Sequence, residues 1–305
     1  MTRTWPEDWE QRKQGVGCPF CADLTGRSFH SGRISEALLE RHAIATGHTA
    51  VVFYGMAGAG KTACAVELAY RHQTGFAALA WWQAPLTDAD PGAALTSLAL
   101  ALDRQLGDDG FAMVDKVGAV ERLRVFLPRL SQLLEDAGVL LVLDNLETLL
   151  TSDGRWRDQR WADLMTALTG HGGESRVVLT SRVLPAGLGG RVRVEPVHAL
   201  SRDESALLAR ELPGLRRLLH ADPGPVRAVD AAVVDADRAL VRRVLAVVQG
   251  HPKLLELADA AAADQAVLTA HLAAAEGRPL TESETNLARA RYVRKALDEE
   301  AGSVG

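Results

Sequence analysis

Eight consecutive residues carry the most specific chemical signal in this 305-residue chain. They fit the pattern Gly-x-x-x-x-Gly-Lys-[Ser/Thr], whose glycines let backbone N–H groups point at phosphate oxygens. A helix that begins at the lysine would add the positive end of its dipole. The alternative is a Gly-rich turn with an exposed lysine. We predict that the nucleotide-binding residues are Gly55, Met56, Ala57, Gly58, Ala59, Gly60, Lys61 and Thr62.

The last two residues of this motif have separate expected tasks. The Lys61 amine should reach the β and γ phosphates, and the Thr62 hydroxyl should bind Mg²⁺. A second piece of the site is predicted at Asp144, which follows the five aliphatic residues 139–143. Such a run is typical of a strand buried on both faces, and ligands of parallel sheets collect at the carboxyl ends of strands. Asp144 is therefore predicted to hold Mg²⁺, and the alternative is a strand-end cap.

The catalytic base is not evident from the sequence. Many ATPases have a glutamate directly after this aspartate, but Asn145 stands here and cannot usefully accept a proton. Glu147 lies two residues further on, with its orientation left open. Arg182 follows a predicted strand and should contact the γ-phosphate, the alternative being a surface arginine. We predict slow hydrolysis, with catalytic roles for Lys61, Asp144 and Arg182.

The elements that must position these residues alternate between strand and helix as far as about residue 197. Strands are predicted at 48–54, 76–83, 139–143, 176–180 and 192–197, and helices at 61–72, 91–106 and 119–137. This alternation predicts an α/β fold, a P-loop NTPase in which helices flank a parallel sheet. Ser201 and Glu204 form a predicted capping box, after which the pattern is helical apart from a predicted loop at 214–226. The predicted domains are an N-terminal segment 1–48, a nucleotide-binding core 49–198 and an all-helical lid 199–300.

Composition excludes several classes of function. Hydrophobic residues make up 47% of the chain, which excludes disorder of the whole chain. The 34 Lys and Arg residues against 39 Asp and Glu give a formal charge of −5, so there is no electrostatic footprint for nucleic acid or an anionic membrane. No apolar run is long enough to span a bilayer, and the N-terminus lacks an apolar signal core. We expect a soluble, cytoplasmic protein with neither a nucleic acid nor a membrane as partner.

Three further segments resemble the STAND class of P-loop ATPases, the NB-ARC-like and AAA+-related signalling switches. Ser175–Arg182 resembles the strand and arginine sensor of that class, and Leu200–Ala206 resembles the segment that enters the lid. Gly250–Leu255 resembles the Gly-x-Pro motif of the lid, most closely in bacterial members. The resemblance covers about residues 49–275. It implies ATP or ADP and Mg²⁺ as ligands, a protein partner or self-association, and contact of His251 and Pro252 with the adenine and ribose.

The N-terminal residues give a different signal. Segments within residues 1–53 resemble the opening of HIT-family nucleotide hydrolases, although the catalytic His-x-His-x-His of that family is absent. Phe29–Glu36 alternatively approximates a STAND element that borders the adenine. Cys18 and Cys21 have the spacing of half a zinc site, but no second Cys-x-x-Cys follows. Reduced structural thiols, zinc binding and redox activity remain alternatives for this pair.

Taken together, these patterns favour an ATP- and ADP-binding switch with slow hydrolysis. Two other functions stay open. One is an interaction scaffold locked to ADP, which does not hydrolyse nucleotide. The other is a plain ATPase or kinase, which would need a pocket for a second substrate that the sequence does not identify.

Overall fold

The computed structural model describes residues 47–86, 90–106, 112–219 and 228–276. The predictions for the N-terminal segment, including the HIT-like start, Phe29–Glu36 and the zinc pair Cys18 and Cys21, lie outside these residues. Within them the chain forms two compact units. Of the described residues, one unit contains Gly47–Gly55 and those of Lys61–Val197, and the other contains Met56–Gly60 and those from His198 onward.

The first unit is built on a five-stranded sheet in which every pair of neighbouring strands is parallel. Its strand order is β2-β3-β4-β1-β5. β1, β3 and β4 coincide with aliphatic or β-branched runs, β2 adds two tryptophans to such a run, and all six residues of β3 are buried. This pattern is what a strand covered on both faces requires. The strands are β1 (Ala50–Tyr54), β2 (Ala78–Gln83), β3 (Val139–Asp144), β4 (Arg176–Ser181) and β5 (Val192–Pro196).

The described part of this unit also contains four α-helices: α1 (Lys61–His72), α2 (Pro91–Leu106), α3 (Val120–Ala137) and α4 (Gln159–Gly170). Short 3₁₀ turns occupy Gln73–Gly75 and Leu146–Leu149. Buried residues on α3 recur every three or four positions, which places its apolar stripe against the core. The architecture is therefore α/β with a parallel sheet flanked by helices, as the alternation of elements predicted.

The second unit is helical in its described part from His198 onward. Its helices are α5 (Arg202–Glu211), α6 (Pro213–Leu219), α7 (Ala228–Val248), α8 (Pro252–Ala261) and α9 (Gln265–Glu276). The predicted capping box is present: the Ser201 side chain accepts from the Glu204 N–H, and the Glu204 carboxylate accepts from the Ser201 N–H. Among the helices described, none combines the length and the apolar character needed to cross a membrane.

The loop predicted at 214–226 is wrong over its first residues, because α6 occupies Pro213–Leu219. A proline is tolerated in the first turn of a helix, where its missing N–H would have no helical partner. Packing within the unit then overrides the turn-like composition. A Cβ on Gly214 would lie 2.4 Å from the Asp259 carbonyl oxygen, and the Leu215 N–H donates to the Asp259 carboxylate at 2.8 Å. Residues 220–226 lie outside the described ranges.

Candidate functional site

The Gly-rich segment leaves the sheet at the carboxyl end of β1. Tyr54, the last residue of β1, lies opposite Ser181 of β4 in the parallel register. The three glycines of the motif have positive φ angles, +146° at Gly55, +69° at Gly58 and +93° at Gly60. At Gly55 a Cβ would also lie 2.5 Å from the Val197 carbonyl oxygen. Residues other than glycine rarely adopt positive φ angles, so the backbone conformation of the loop requires glycine at these positions.

Lys61 begins α1 and is nearly buried, with 8% of the residue exposed. Its Nζ donates to the Gly55 carbonyl oxygen at 2.9 Å. The ammonium group is thereby held beside the first residue of the motif. The backbone N–H groups of the first helical turn and the positive end of the helix dipole meet at the start of α1, which is the arrangement that favours an anion.

Asp144 is joined to the motif through hydroxyl groups. The Thr62 hydroxyl donates to Asp144 Oδ1 at 2.9 Å, and the Thr180 hydroxyl donates to the same oxygen at 2.5 Å. The Thr180 hydroxyl oxygen in turn accepts from the Asn145 N–H at 2.9 Å. Residues from α1, β3 and β4 therefore converge on one carboxylate at the carboxyl edge of the sheet.

The environment of Asp144 disfavours the ionised form of its carboxyl group. The residue is 1% exposed, and its burial raises the pKa of the carboxyl above the usual 3.8. The Thr180 and Thr62 hydrogen bonds lower the pKa, the charge of Glu147 raises it, and the charge of Lys61 lowers it. A cation close to this carboxylate would favour its ionised form.

These residues fit a magnesium ion that arrives with a nucleotide. Within the described part of the chain there is no cluster of three or more His, Cys, Asp or Glu residues able to hold a metal. Mg²⁺ does not need such a cluster, because it is commonly bound by one or two carboxylates, substrate phosphates and water. Asp144 and the Thr62 hydroxyl supply oxygen donors within 2.9 Å of each other.

Arg182 directly follows β4 and is bound to Glu147. Arg182 Nε lies 2.6 Å from Glu147 Oε1, and the Arg182 backbone N–H donates to Glu147 Oε2 at 3.2 Å. Glu147 is in the 3₁₀ turn after β3. The sequence left the orientation of the Glu147 side chain open, and in the structure this side chain points toward Arg182.

Asn145 has a structural task in this edge of the sheet. Its backbone is left-handed, with φ +67°, and its Nδ2 donates to the carbonyl oxygens of Ala84 and Pro85, each at 3.4 Å. The amide therefore links the end of β3 to the residues that follow β2. Asn and Asp tolerate this backbone conformation better than most residues, and of these two only Asn can donate to the two carbonyls.

His251 and Pro252 lie in the second unit, together with Met56–Gly60. His251 is the N-cap of α8, where its Nδ1 accepts from the Leu254 N–H at 3.4 Å. In the neutral ring the proton is then on Nε2, which donates to the Ala57 carbonyl oxygen at 2.8 Å. A Cβ on Gly58 would lie 2.6 Å from the His251 ring. Pro252, the first residue of α8, is buried.

Two features of the site were missed by sequence reasoning, the contact of Thr180 with Asp144 and the pairing of Glu147 with Arg182. The contact of Thr180 could have been suspected from the sequence, because Thr180 is a polar residue near the carboxyl end of a mainly aliphatic strand. For the ion pair, no local pattern exists, because its members are 35 residues apart. The structure brings Lys61, Thr62, Asp144 and Arg182 to the carboxyl ends of β1, β3 and β4.

No family model matches the chain, and no curated protein matches it either. Among solved structures, similarity was found to a STAND protein with a tetratricopeptide repeat sensor from Pyrococcus horikoshii, at 16% identity and a TM-score of 0.40. That match covers 70% of this chain and 28% of the other, so the chain spans less than a third of that protein. A Walker-type ATPase of Pyrococcus abyssi matches at 12% identity and a TM-score of 0.44, over 86% of this chain and 77% of the other. PCH-2 of C. elegans matches at 14% identity and a TM-score of 0.34, over 83% and 68%.

Proposed function

We propose that this protein binds Mg-ATP and ADP through its Gly-rich motif and works as a STAND-type switch that hydrolyses ATP slowly. The observation that carries the proposal is the hydrogen bond from Thr62 to Asp144. Two motifs 82 residues apart in the sequence thereby meet at the carboxyl edge of a parallel sheet, which is where ligands of such sheets bind.

Each residue of the site has a proposed task in binding. Backbone N–H groups of Gly55–Thr62 would surround the β-phosphate, and the Lys61 amine would exchange the Gly55 carbonyl for phosphate oxygens. The Thr62 hydroxyl and Asp144 would hold the magnesium ion of the substrate. When bound, that ion neutralises charge on the phosphates. His251 and Pro252 are proposed to border the adenine and ribose, as the resemblance implies.

Slow hydrolysis is proposed because Asn145 occupies the position directly after Asp144, where many ATPases have a glutamate. The Asn145 side chain donates to two backbone carbonyls and cannot usefully accept a proton. General-base catalysis typically accelerates a reaction by about 10²–10⁴-fold, so its absence leaves turnover slow. We expect about one turnover per minute or less, well below common enzyme rates. A slow hydrolase stays long enough in each nucleotide state to signal to a protein partner or a second copy of itself.

The first experiment measures ADP and Mg-ATP binding by calorimetry for the wild type and Lys61→Ala. Removal of the ammonium group should weaken ATP binding about tenfold or more, which corresponds to about 1.4 kcal/mol or above. Lys116→Ala is the matched control, because Lys116 lies in the same unit but outside the motif. Equal ATP affinity in Lys61→Ala and wild type would refute the assignment of the loop.

A second experiment concerns the metal. Asp144→Ala should weaken ATP binding with Mg²⁺ much more than ADP binding without metal. Equal losses under both conditions would leave Asp144 as a strand-end cap only.

Steady-state turnover separates the switch from its rivals. Several turnovers per second without any partner would favour the plain ATPase. ADP retained through purification, with no phosphate release under excess ATP, would favour the ADP-locked scaffold.

A further inference from the structure

Glu147 uses both of its carboxylate oxygens on a single residue. Oε1 pairs with the Arg182 guanidinium at 2.6 Å, and Oε2 accepts from the Arg182 backbone N–H at 3.2 Å. The two partners differ in exposure, since the Glu147 side chain is 11% exposed and the Arg182 side chain 53% exposed. The carboxylate is therefore fixed in the structure, whereas the guanidinium reaches it from the solvent side.

This ion pair lies within the electrostatic reach of the candidate phosphate site. Glu147 lies three residues after Asp144 in the chain, and its negative charge raises the pKa of the Asp144 carboxyl. Arg182 follows Ser181, and Ser181 pairs with Tyr54, the residue before the Gly-rich motif. Neighbouring strands are about 4.8 Å apart, so Arg182 and Gly55 leave the sheet side by side.

We propose that Glu147 and the γ-phosphate compete for the Arg182 side chain, so that Glu147 sets the preference of the site between ATP and ADP. This inference rests on the proposed nucleotide function. With ADP, or with no nucleotide, the guanidinium stays on Glu147. With ATP, the guanidinium leaves Glu147 and binds the γ-phosphate oxygens, for which its planar fork is suited.

The geometry makes such an exchange inexpensive. The bond from the Arg182 backbone N–H to Oε2 does not depend on the side chain, so the carboxylate keeps a partner after the guanidinium has left. The guanidinium is more than half exposed, so water replaces part of its contact with Glu147 when it leaves. The position of the guanidinium is therefore decided by whichever anion attracts it more.

The surrounding loops are tied together independently of this ion pair. The Ala186 N–H donates to the Gly154 carbonyl oxygen at 2.8 Å, and a Cβ on Gly154 would lie 2.3 Å from the Leu184 carbonyl oxygen. Glu147→Gln keeps the shape of the side chain and an oxygen that can accept from the Arg182 N–H. We expect this variant to fold, with a melting temperature close to that of the wild type.

The test compares binding of ADP with binding of a β,γ-imido analogue of ATP, both with Mg²⁺, by calorimetry. Glu147→Gln frees the guanidinium, so the affinity for the analogue should rise about threefold to tenfold, or about 0.7–1.4 kcal/mol, while ADP affinity stays unchanged. Arg182→Ala should weaken analogue binding and leave ADP binding unchanged. Asp163→Asn is the matched control, because it removes the charge from another exposed arginine pair, Arg124–Asp163 at 2.8 Å.

A double-mutant cycle distinguishes competition from simple charge repulsion. If Glu147 acts through Arg182, Glu147→Gln should have no effect on analogue affinity in the Arg182→Ala background. An equal gain in both backgrounds would overturn the inference, since the lost negative charge would then act on the phosphates directly. Equal effects of Glu147→Gln on the binding of ADP and of the analogue would also overturn the inference. The Glu147–Arg182 ion pair would then have a structural role only.

The outcome also separates this inference from the proposed function. Lys61-dependent binding of both nucleotides, with an unchanged ratio in Glu147→Gln, would refute the competition alone. No binding of either nucleotide by the wild type would refute both.

Discussion

Thr180 offers the sharpest test of how the site is held together. Its hydroxyl donates to the buried Asp144 carboxylate at 2.5 Å and accepts from the Asn145 N–H at 2.9 Å. Thr180→Val removes both hydrogen bonds with almost no change in shape. In this variant the buried Asp144 carboxylate loses one hydrogen-bond donor, and the Asn145 N–H loses its acceptor.

The expected magnitude follows from these two bonds. A hydrogen bond to a charged group contributes about 1.5–3 kcal/mol, and one between neutral groups contributes about 0.5–1.5 kcal/mol. Thr180 is 1% exposed, so water cannot replace either bond fully. We expect the free energy of unfolding to fall by about 2–4 kcal/mol, which corresponds to about 5–15 °C in Tm for a domain of this size. Affinity for Mg-ATP should fall as well, because Asp144 is held less firmly.

Urea unfolding followed by tryptophan fluorescence measures this loss. Trp161 stacks on Trp82 and Trp156, with ring centroids 5.5 and 6.1 Å apart, and these rings separate when the sheet unit unfolds. Thr180→Ser restores the hydroxyl and should recover most of the stability. Thr169→Val is a control for the substitution itself, since the buried Thr169 hydroxyl donates only to the Met165 carbonyl of its own helix. A Thr180→Val loss no greater than that of Thr169→Val would refute the reasoning.

The sheet unit could be predicted from the sequence because its information is local. Each strand lies in a short, mainly apolar run, and the predicted strand 139–143 differs from the observed β3 only by its final residue. The helix α4 (Gln159–Gly170) was not predicted, although Asp158 caps it and its buried residues recur at helical spacing. The sequence pattern of this helix was present but was overlooked between the motifs around Asp144 and Arg182.

The second unit was less predictable for a physical reason. Pro213 and Gly214 are typical of turns, and their helical conformation depends on Asp259, 45 residues away from Gly214. A contact of that kind leaves no pattern in the residues next to it. Tertiary packing decides such a segment, and local propensity does not.

The site shows the same division. The Gly-rich motif and Asp144 have sequence signatures, because both depend on the residues adjacent to them. The orientations of Glu147 and Asn145 depend on Arg182 and on the residues after β2, which only the sheet order β2-β3-β4 brings together. That Asn145 does not act as a base stays a prediction, and the structure adds the contacts that its amide makes.

Three further predictions concern stability. Gly214→Ala should cost about 1–3 kcal/mol of unfolding free energy in urea titrations, because its Cβ would meet the Asp259 carbonyl oxygen at 2.4 Å. Asp144→Asn should raise the Tm of the nucleotide-free protein at neutral pH, since the raised pKa means that folding disfavours the ionised carboxylate; a lower Tm would contradict this. His171 is 2% exposed, and its burial together with the charge of Arg176 lowers its pKa from 6.5 to about 4. The unfolded chain therefore binds the extra proton first as the pH falls, so stability is complete above pH 6.5 and declines toward pH 4, in total by about 3 kcal/mol. In His171→Asn, whose amide oxygen can still accept from the Gly173 N–H, the fall in unfolding free energy over this range should be smaller than in the wild type by that amount. Parallel curves for the two proteins between pH 6.5 and 4 would show that His171 is not the group that titrates.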